Sequence, residues 1–176
     1  MSEQPGRYTR SAGGMVGAML VLVVLLLAWV VFRNLVSSEP SSPVRTVDYA
    51  KDVPAVKQAA DFDLVAPPSL PQGWRATSVN FKATGSEHWH LGVLTDEDKY
   101  VGLEQGNESV RSMLEAYVDP DPSQGDPVDV AGRPWSTYSD DGGDLALVSR
   151  DGPTTTLVVG HEVDQAALVS YAASLR

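Results

Sequence analysis

The chain has 176 residues, with 13 Lys or Arg against 23 Asp or Glu, three His and no cysteine, for a formal charge of −10 at pH 7. So acidic a balance argues against nucleic-acid binding, because phosphate backbones select basic faces. With no cysteine, disulfides, thiolate metal ligands and a lipid-modified cysteine are all excluded, and any folded part must be held by packing.

Residues 1–10 form a short polar tail carrying Arg7 and Arg10. Residues 11–32 then run without a charge, and from Met19 to Phe32 only Leu, Val, Ala, Trp, Met and Phe occur. A helix over this stretch would be about 33 Å long, enough for a hydrocarbon core of about 30 Å, and it satisfies its own backbone amides in lipid. The stretch predicts a single uncleaved transmembrane helix. A secretory signal has a shorter apolar region, and the cleavage-like triplet Val36-Ser37-Ser38 is set apart from this one by Arg33 and Asn34. Beyond residue 36 the chain holds 10 basic and 22 acidic residues. With basic residues ahead of the span, the expected orientation is N-terminus cytoplasmic and C-terminal domain external, at the cell membrane. Gly13 with Gly17, and Gly14 with Ala18, have the small-xxx-small spacing through which two such helices can approach as a homodimer.

Residues 33–46, rich in Ser and Pro, read as a linker. Residues 47–61 carry Tyr49, Val53, Val56 and Ala60 at helical spacing, predicting a juxtamembrane helix with Pro54 in its first turns. Residues 62–176 are expected to form one external domain. Its opening, Leu64 to Trp74, is dense in Pro and Gly and predicts an extended segment followed by a turn. Strands are predicted at Arg75–Phe81, His88–Leu94 and Tyr100–Gln105, then a helix capped by Ser109 with Val110, Met113, Leu114 and Tyr117 on one side. After an acidic loop from Asp119 to Pro127, four further strands are predicted at Val128–Val130, Pro134–Tyr138, Leu145–Arg150 and Thr154–Val159. A terminal amphipathic helix over Asp164–Leu175 follows. The order βββ-α-ββββ-α, with hairpin turns at Asp140–Asp144 and Asp151–Pro153, predicts an α+β fold in which helices pack on an antiparallel sheet. It also hints at a structural duplication, without a repeat at residue level.

Three segments carry a family resemblance: Arg7-Tyr8-Thr9-Arg10-Ser11, Pro71-Gln72-Gly73-Trp74-Arg75-Ala76-Thr77-Ser78, and Trp89-His90-Leu91-Gly92 with Tyr100-Val101-Gly102-Leu103-Glu104-Gln105. Together they resemble the actinobacterial single-pass membrane proteins grouped as domain of unknown function 4245. That resemblance extends over nearly the whole chain and implies an external domain behind an N-terminal anchor, with no established activity to carry over. The Pro-x-Gly-Trp opening more loosely resembles external sensor domains of some anti-sigma factors, but about ten residues before the span are too few for a sigma-binding domain.

Chemistry-bearing residues are sparse. His88 and His90 stand two apart on a predicted strand, hence on one face, and are candidate metal ligands with Glu104 or His161. Asp140–Asp144 lacks the spacing of a calcium loop and reads as a solvated turn. Nucleophile-elbow, Walker A, dinucleotide-binding and HExxH patterns are all missing, so no cofactor and no catalytic residue is predicted. The expectation is therefore a non-enzymatic binding or accessory module of the cell envelope, with Trp74, Trp89, Tyr100 and Trp135 as candidate contact residues for an envelope protein. Two alternatives are a carrier of a lipid or other apolar ligand, and a cell-wall enzyme with an unrecognised site, which would need a cleft with converging carboxylates or a His–acid pair.

Overall fold

In the computed structural model the described residues are 16–17, 19–26, 29 and 45–176. The chain divides into two compact units, Met1–Val44 and Arg45–Arg176. In the first, the described residues are helical. Among the described residues no helix is long and apolar enough to cross a membrane. The rest of the predicted 11–32 span, the 1–10 tail, Gly13 and residues 33–44 of the linker lie outside the described residues.

The second unit has an α+β fold. A 3-10 turn, Tyr49–Lys51, leads into α1 (Val53–Ala59), with Pro54 in the first turn, where no backbone N–H is needed. Val47 N–H donates to the Ala76 carbonyl at 2.9 Å and Tyr49 is buried, so this segment belongs to the folded unit. The Pro71-Gln72-Gly73-Trp74 segment closes a tight turn with Trp74 N–H on the Pro71 carbonyl at 3.1 Å. Gly73 has φ +82°, as the third position of such a turn requires, and its Cα faces Asp96 with no room for a side chain. The turn delivers Trp74 onto Tyr171, with ring centroids 5.6 Å apart.

Next come β1 (Arg75–Lys82), β2 (His88–Leu94) and β3 (Tyr100–Gly106), then α2 (Val110–Tyr117). After these follow β4 (Ser123–Gln124), β5 (Val128–Val130), β6 (Arg133–Ser139), β7 (Asp144–Asp151), β8 (Thr154–His161) and α3 (Gln165–Ala173). All pairings are antiparallel, in the order β1-β2-β3-β8-β7-β6-β4 with β5 beside β6. Every predicted strand of this unit and both later helices are present with ends shifted by at most a few residues, while the helix predicted within 47–61 is a 3-10 turn followed by the shorter α1. The expected order gains one strand: β4, two residues inside the acidic loop, pairs with Ser139 and Tyr138 of β6. So short a strand carries no periodicity to read.

Each half of the sheet is a three-stranded meander followed by a helix, but the two helices lie on opposite faces. Trp89, Leu91, Val93, Val101, Leu103, Leu147 and Val158 pack with Leu168, Tyr171 and Ala172 of α3 on one face, and α1 lies against the same cluster. On the other face Met113 and Leu114 of α2 pack on Ala146, Val148, Leu157 and Val159 of β7 and β8. The alternation of strand side chains explains the division, because Leu157 and Val159 point one way and Val158 the other. Since α2 sits over β7 and β8, among the described residues of this unit no helix lies over the same face of β1, β2 and β3, which α2 reaches only through Tyr117.

Candidate functional site

On that uncovered face the register brings together three strands' worth of polar side chains. Asn80 pairs with His90, His90 with Glu104, and His88 with Gly106. Directly paired residues share a face, so Ser78, Asn80 and Lys82 of β1, His88 and His90 of β2, and Tyr100 and Glu104 of β3 all project the same way.

Glu104 is the centre of the cluster, with 1% of its surface exposed. Its Oε1 lies 2.6 Å from Nδ1 of His90 and its Oε2 lies 2.8 Å from Nε2 of His88. A carboxylate only accepts hydrogen bonds, so each of these ring nitrogens carries the proton that meets it. In neutral His90 this leaves Nε2 as an acceptor, and Ser78 Oγ stands 2.8 Å from it. On the other side Tyr117 Oη lies 3.0 Å from Nε2 of His88, where the phenol oxygen accepts a share of the N–H, and its ring stacks on the imidazole at 5.4 Å. Nδ1 of His88 is buried without a hydrogen-bond partner, and the nearest acid, Glu108 Oε1, stands 3.7 Å away.

Glycines make the room for this network. A Cβ built on Gly92 would lie 2.3 Å from Ser78 Oγ and 3.2 Å from the Tyr100 hydroxyl. One on Gly102 would lie 3.1 Å from the same hydroxyl and 3.3 Å from Glu104 Oε1. Above the cluster opens a cleft of about 430 Å³ lined by Asn80, Lys82, His88, His90, Glu104, Glu108 and Tyr117. Burial first, and the charge of Glu104 second, push the phenols of Tyr100 and Tyr117 up to about 12, so both remain hydrogen-bond donors at neutral pH.

The structure thus brings His88, His90 and Glu104 together, as the candidate metal set required, but the ring nitrogens nearest the carboxylate are spent on it and share no common open point. Among the described residues no group of three or more His, Cys, Asp or Glu is arranged to hold a metal ion. His161 lies elsewhere, with Nδ1 2.9 Å from Asp144 Oδ1, a contact that raises its pKa above the ordinary histidine value. Asp140 also does turn work, accepting the Asp144 N–H at 2.7 Å.

A profile described as Protein of unknown function (DUF4245) matches residues 7–175. The chain belongs to DUF4245. None of the curated proteins matches it.

The aromatic candidates of this DUF4245 chain separate in the fold. Trp89 is fully buried in the core, and Trp74 is half-buried against Tyr171. Trp135 lines a second cleft of about 530 Å³ between the β5–β6 hairpin and the C-terminal end of α3, with Arg133, Asp151 and Arg176 around its rim. At the base of that cleft Gln105 is already engaged. Its Oε1 accepts Val65 N–H at 2.9 Å, while Nε2 donates to the Asp63 carbonyl and to Thr156 Oγ1, both at 3.1 Å. Tyr100, 38% exposed, is the aromatic candidate that belongs to the Glu104 cluster.

Ser78, Glu108 and Tyr117 were not singled out as site residues by sequence. A signal was present in the glycines at 92, 102 and 106, which alternate with His and Glu on one strand face. Reading it required the pairing register.

Proposed function

We propose that this chain is a membrane-tethered module of the cell envelope, anchored through residues 11–32 with its N-terminus cytoplasmic, whose external domain binds a small polar ligand in the cleft over β1–β3. The observation that carries the binding reading is Glu104, a buried carboxylate holding two imidazoles at the floor of an open 430 Å³ cleft. Burying a charge is costly, and an apolar core residue would serve the sheet better, so such a cluster beside open space marks a site. The cleft offers a cation at Lys82, an acid at Glu108, an amide at Asn80 and an aromatic wall at Tyr117, which suits a polar or zwitterionic molecule rather than a lipid tail. The spaces between sheet and helices are filled by side chains of zero exposure, including Leu91, Leu103, Leu157 and Leu168, which counts against the apolar-carrier alternative.

Support for the tether comes from the first unit. Met19 to Leu26 are consecutive helical residues, all apolar and each 45% exposed or more, a surface that water does not suit.

The cysteine-free chain permits a direct test of placement. Single cysteines at Asp141, on an exposed turn, and at Ser2 are probed on intact cells with a membrane-impermeant maleimide. Labelling of Asp141→Cys but not Ser2→Cys is expected; the reverse pattern, or protection of both, overturns the orientation. For the cleft, a polar envelope extract is expected to raise the Tm of the full chain and to lose that effect in Lys82→Met with Glu108→Gln. An equal shift in both proteins rules the cleft out.

A further inference from the structure

Within the same cluster, the geometry points to a serine acyl-transfer centre with Ser78 as nucleophile, His90 as its general base and Glu104 as the positioning residue, acting on a carboxylic ester. The contacts run in one direction: Ser78 Oγ to His90 Nε2 at 2.8 Å, and His90 Nδ1 to Glu104 Oε1 at 2.6 Å. These are the distances and the nitrogen assignments that an activated hydroxyl needs, with one ring nitrogen free to take the serine proton and the other held by a buried acid. No sequence motif announces it, because the three residues come from three neighbouring strands and meet only through the β1–β2 and β2–β3 registers. The inference departs from the expectation of a non-enzymatic module and does not depend on the membrane tether.

Tyr100 supplies the oxyanion donor. Ser78 and Tyr100 lean over Gly92 from the two flanking strands, their hydroxyl oxygens 2.3 Å and 3.2 Å from a Cβ built there, so the phenol stands beside the serine at which an ester carbonyl would be attacked. Burial keeps that phenol protonated up to about pH 12. β2 and β3 are paired on both sides, so their backbone N–H groups are committed to the sheet and the donor beside Ser78 is a side chain, the Tyr100 phenol. One oxyanion donor is worth about 10²–10³ in rate, so the acyl group must itself be reactive, an ester rather than an amide.

The steps balance with water as the only co-reactant. As Ser78 Oγ bonds to the carbonyl carbon, its proton passes to His90 Nε2. The carbon–oxygen bond to the alcohol breaks, and the leaving oxygen takes that proton. Water then attacks the acyl-serine, giving one proton to His90 Nε2, and the acid departs as the proton returns to Ser78 Oγ. An ester and water become an acid and an alcohol.

A fluorophosphonate probe tests this on the full chain in detergent, with adducts mapped by mass spectrometry. One adduct at Ser78 is expected, absent from Ser78→Ala and from the urea-unfolded protein. Its rate should fall about 10²-fold or more in His90→Gln, the ordinary contribution of a general base, and added imidazole should restore labelling in His90→Ala, which a purely structural role would not allow. Tyr100→Phe should slow release of p-nitrophenol from p-nitrophenyl acetate. An unlabelled Ser78 under conditions that modify a control serine esterase overturns the proposal. So does labelling that is equally fast in a folded His90→Gln protein. Should the His90 variants not fold, the Ser78→Ala comparison decides.

Discussion

Nδ1 of His90 and Oε1 of Glu104 lie 2.6 Å apart on adjacent strands, and the other carboxylate oxygen is bound just as directly by His88 at 2.8 Å. Glu104 therefore ties β2 to β3 through side chains as well as backbone, and removing it leaves two ring N–H groups facing a buried gap. Breaking a buried pair from one side costs about 3–5 kcal/mol, and the partial exposure of His90 lowers the expectation to about 2–4 kcal/mol for Glu104→Ala. Glu104→Gln should also destabilise, because its NH2 meets a ring N–H at one of the two positions. Urea unfolding followed by circular dichroism measures both; an unchanged midpoint in Glu104→Ala would show that the cluster contributes nothing to the fold.

Gly92 is required by its neighbours rather than by its backbone. Gly92→Ala places a methyl group 2.3 Å from Ser78 Oγ and 3.2 Å from the Tyr100 ring. Overpacking of this kind costs about 1–3 kcal/mol. Because the nearest clash is with a single hydroxyl, Ser78→Ala should recover part of the loss. A double-mutant cycle of Ser78→Ala and Gly92→Ala should show coupling of about 0.5 kcal/mol or more. Additive effects would mean that Ser78 does not lean over Gly92.

Gln105 fastens the extended segment ahead of β1 to the sheet through two hydrogen bonds, and a third, to Thr156 of β8, holds its own amide in place. Gln105→Ala removes the partners of Val65 N–H and the Asp63 carbonyl together, and because both lie where water can reach them the loss should be near the net worth of a hydrogen bond, about 0.5–1.5 kcal/mol each. Hydrogen exchange should show amides near residues 63–66 opening faster in the variant than in the parent, and no change there would contradict the anchoring role.

His161 gives the domain a small acid-side stabilisation. Its pKa is raised by the hydrogen bond to Asp144, with burial opposing and Asp144, Glu162 and Asp140 adding their charge. A folded-state pKa above the unfolded one means the gain is complete below about pH 6.5 and is lost as pH rises through the folded value. The Tm difference between the parent and His161→Gln should accordingly be positive near about pH 5.5 and vanish near about pH 8.5. Salt should shrink it, since the pair is exposed. A difference that grows with pH would contradict the assignment.

Much of the fold was legible because its strands alternate cleanly and its helices carry their own punctuation. Ser109 caps α2 as its position suggests, accepting the Ser112 N–H at 3.1 Å, whereas Asp164 occupies the corresponding place before α3 without a side-chain bond. The two-residue β4 was not legible, being shorter than any period. At the site, His88 and His90 were visible as a pair on one strand face with Glu104 as a possible partner, but residue type alone does not tell a ligand set from a hydrogen-bonded one, and only the cross-strand distances show the carboxylate lying between the rings. Ser78 looked like any strand serine, because its place opposite Gly92 depends on a register shift between Ala76 and Ser78 that alternation does not reveal.

Glu104 holds His90 with its proton on Nδ1 and Nε2 turned to Ser78. Nitrogen NMR of the full chain labelled at histidine reads this directly, with His88→Gln and His161→Gln assigning the three rings. At about pH 9 His90 should show a protonated Nδ1 and a bare Nε2, a pattern that changes in Glu104→Gln. A His90 ring carrying its proton on Nε2, indifferent to Glu104, would contradict the account.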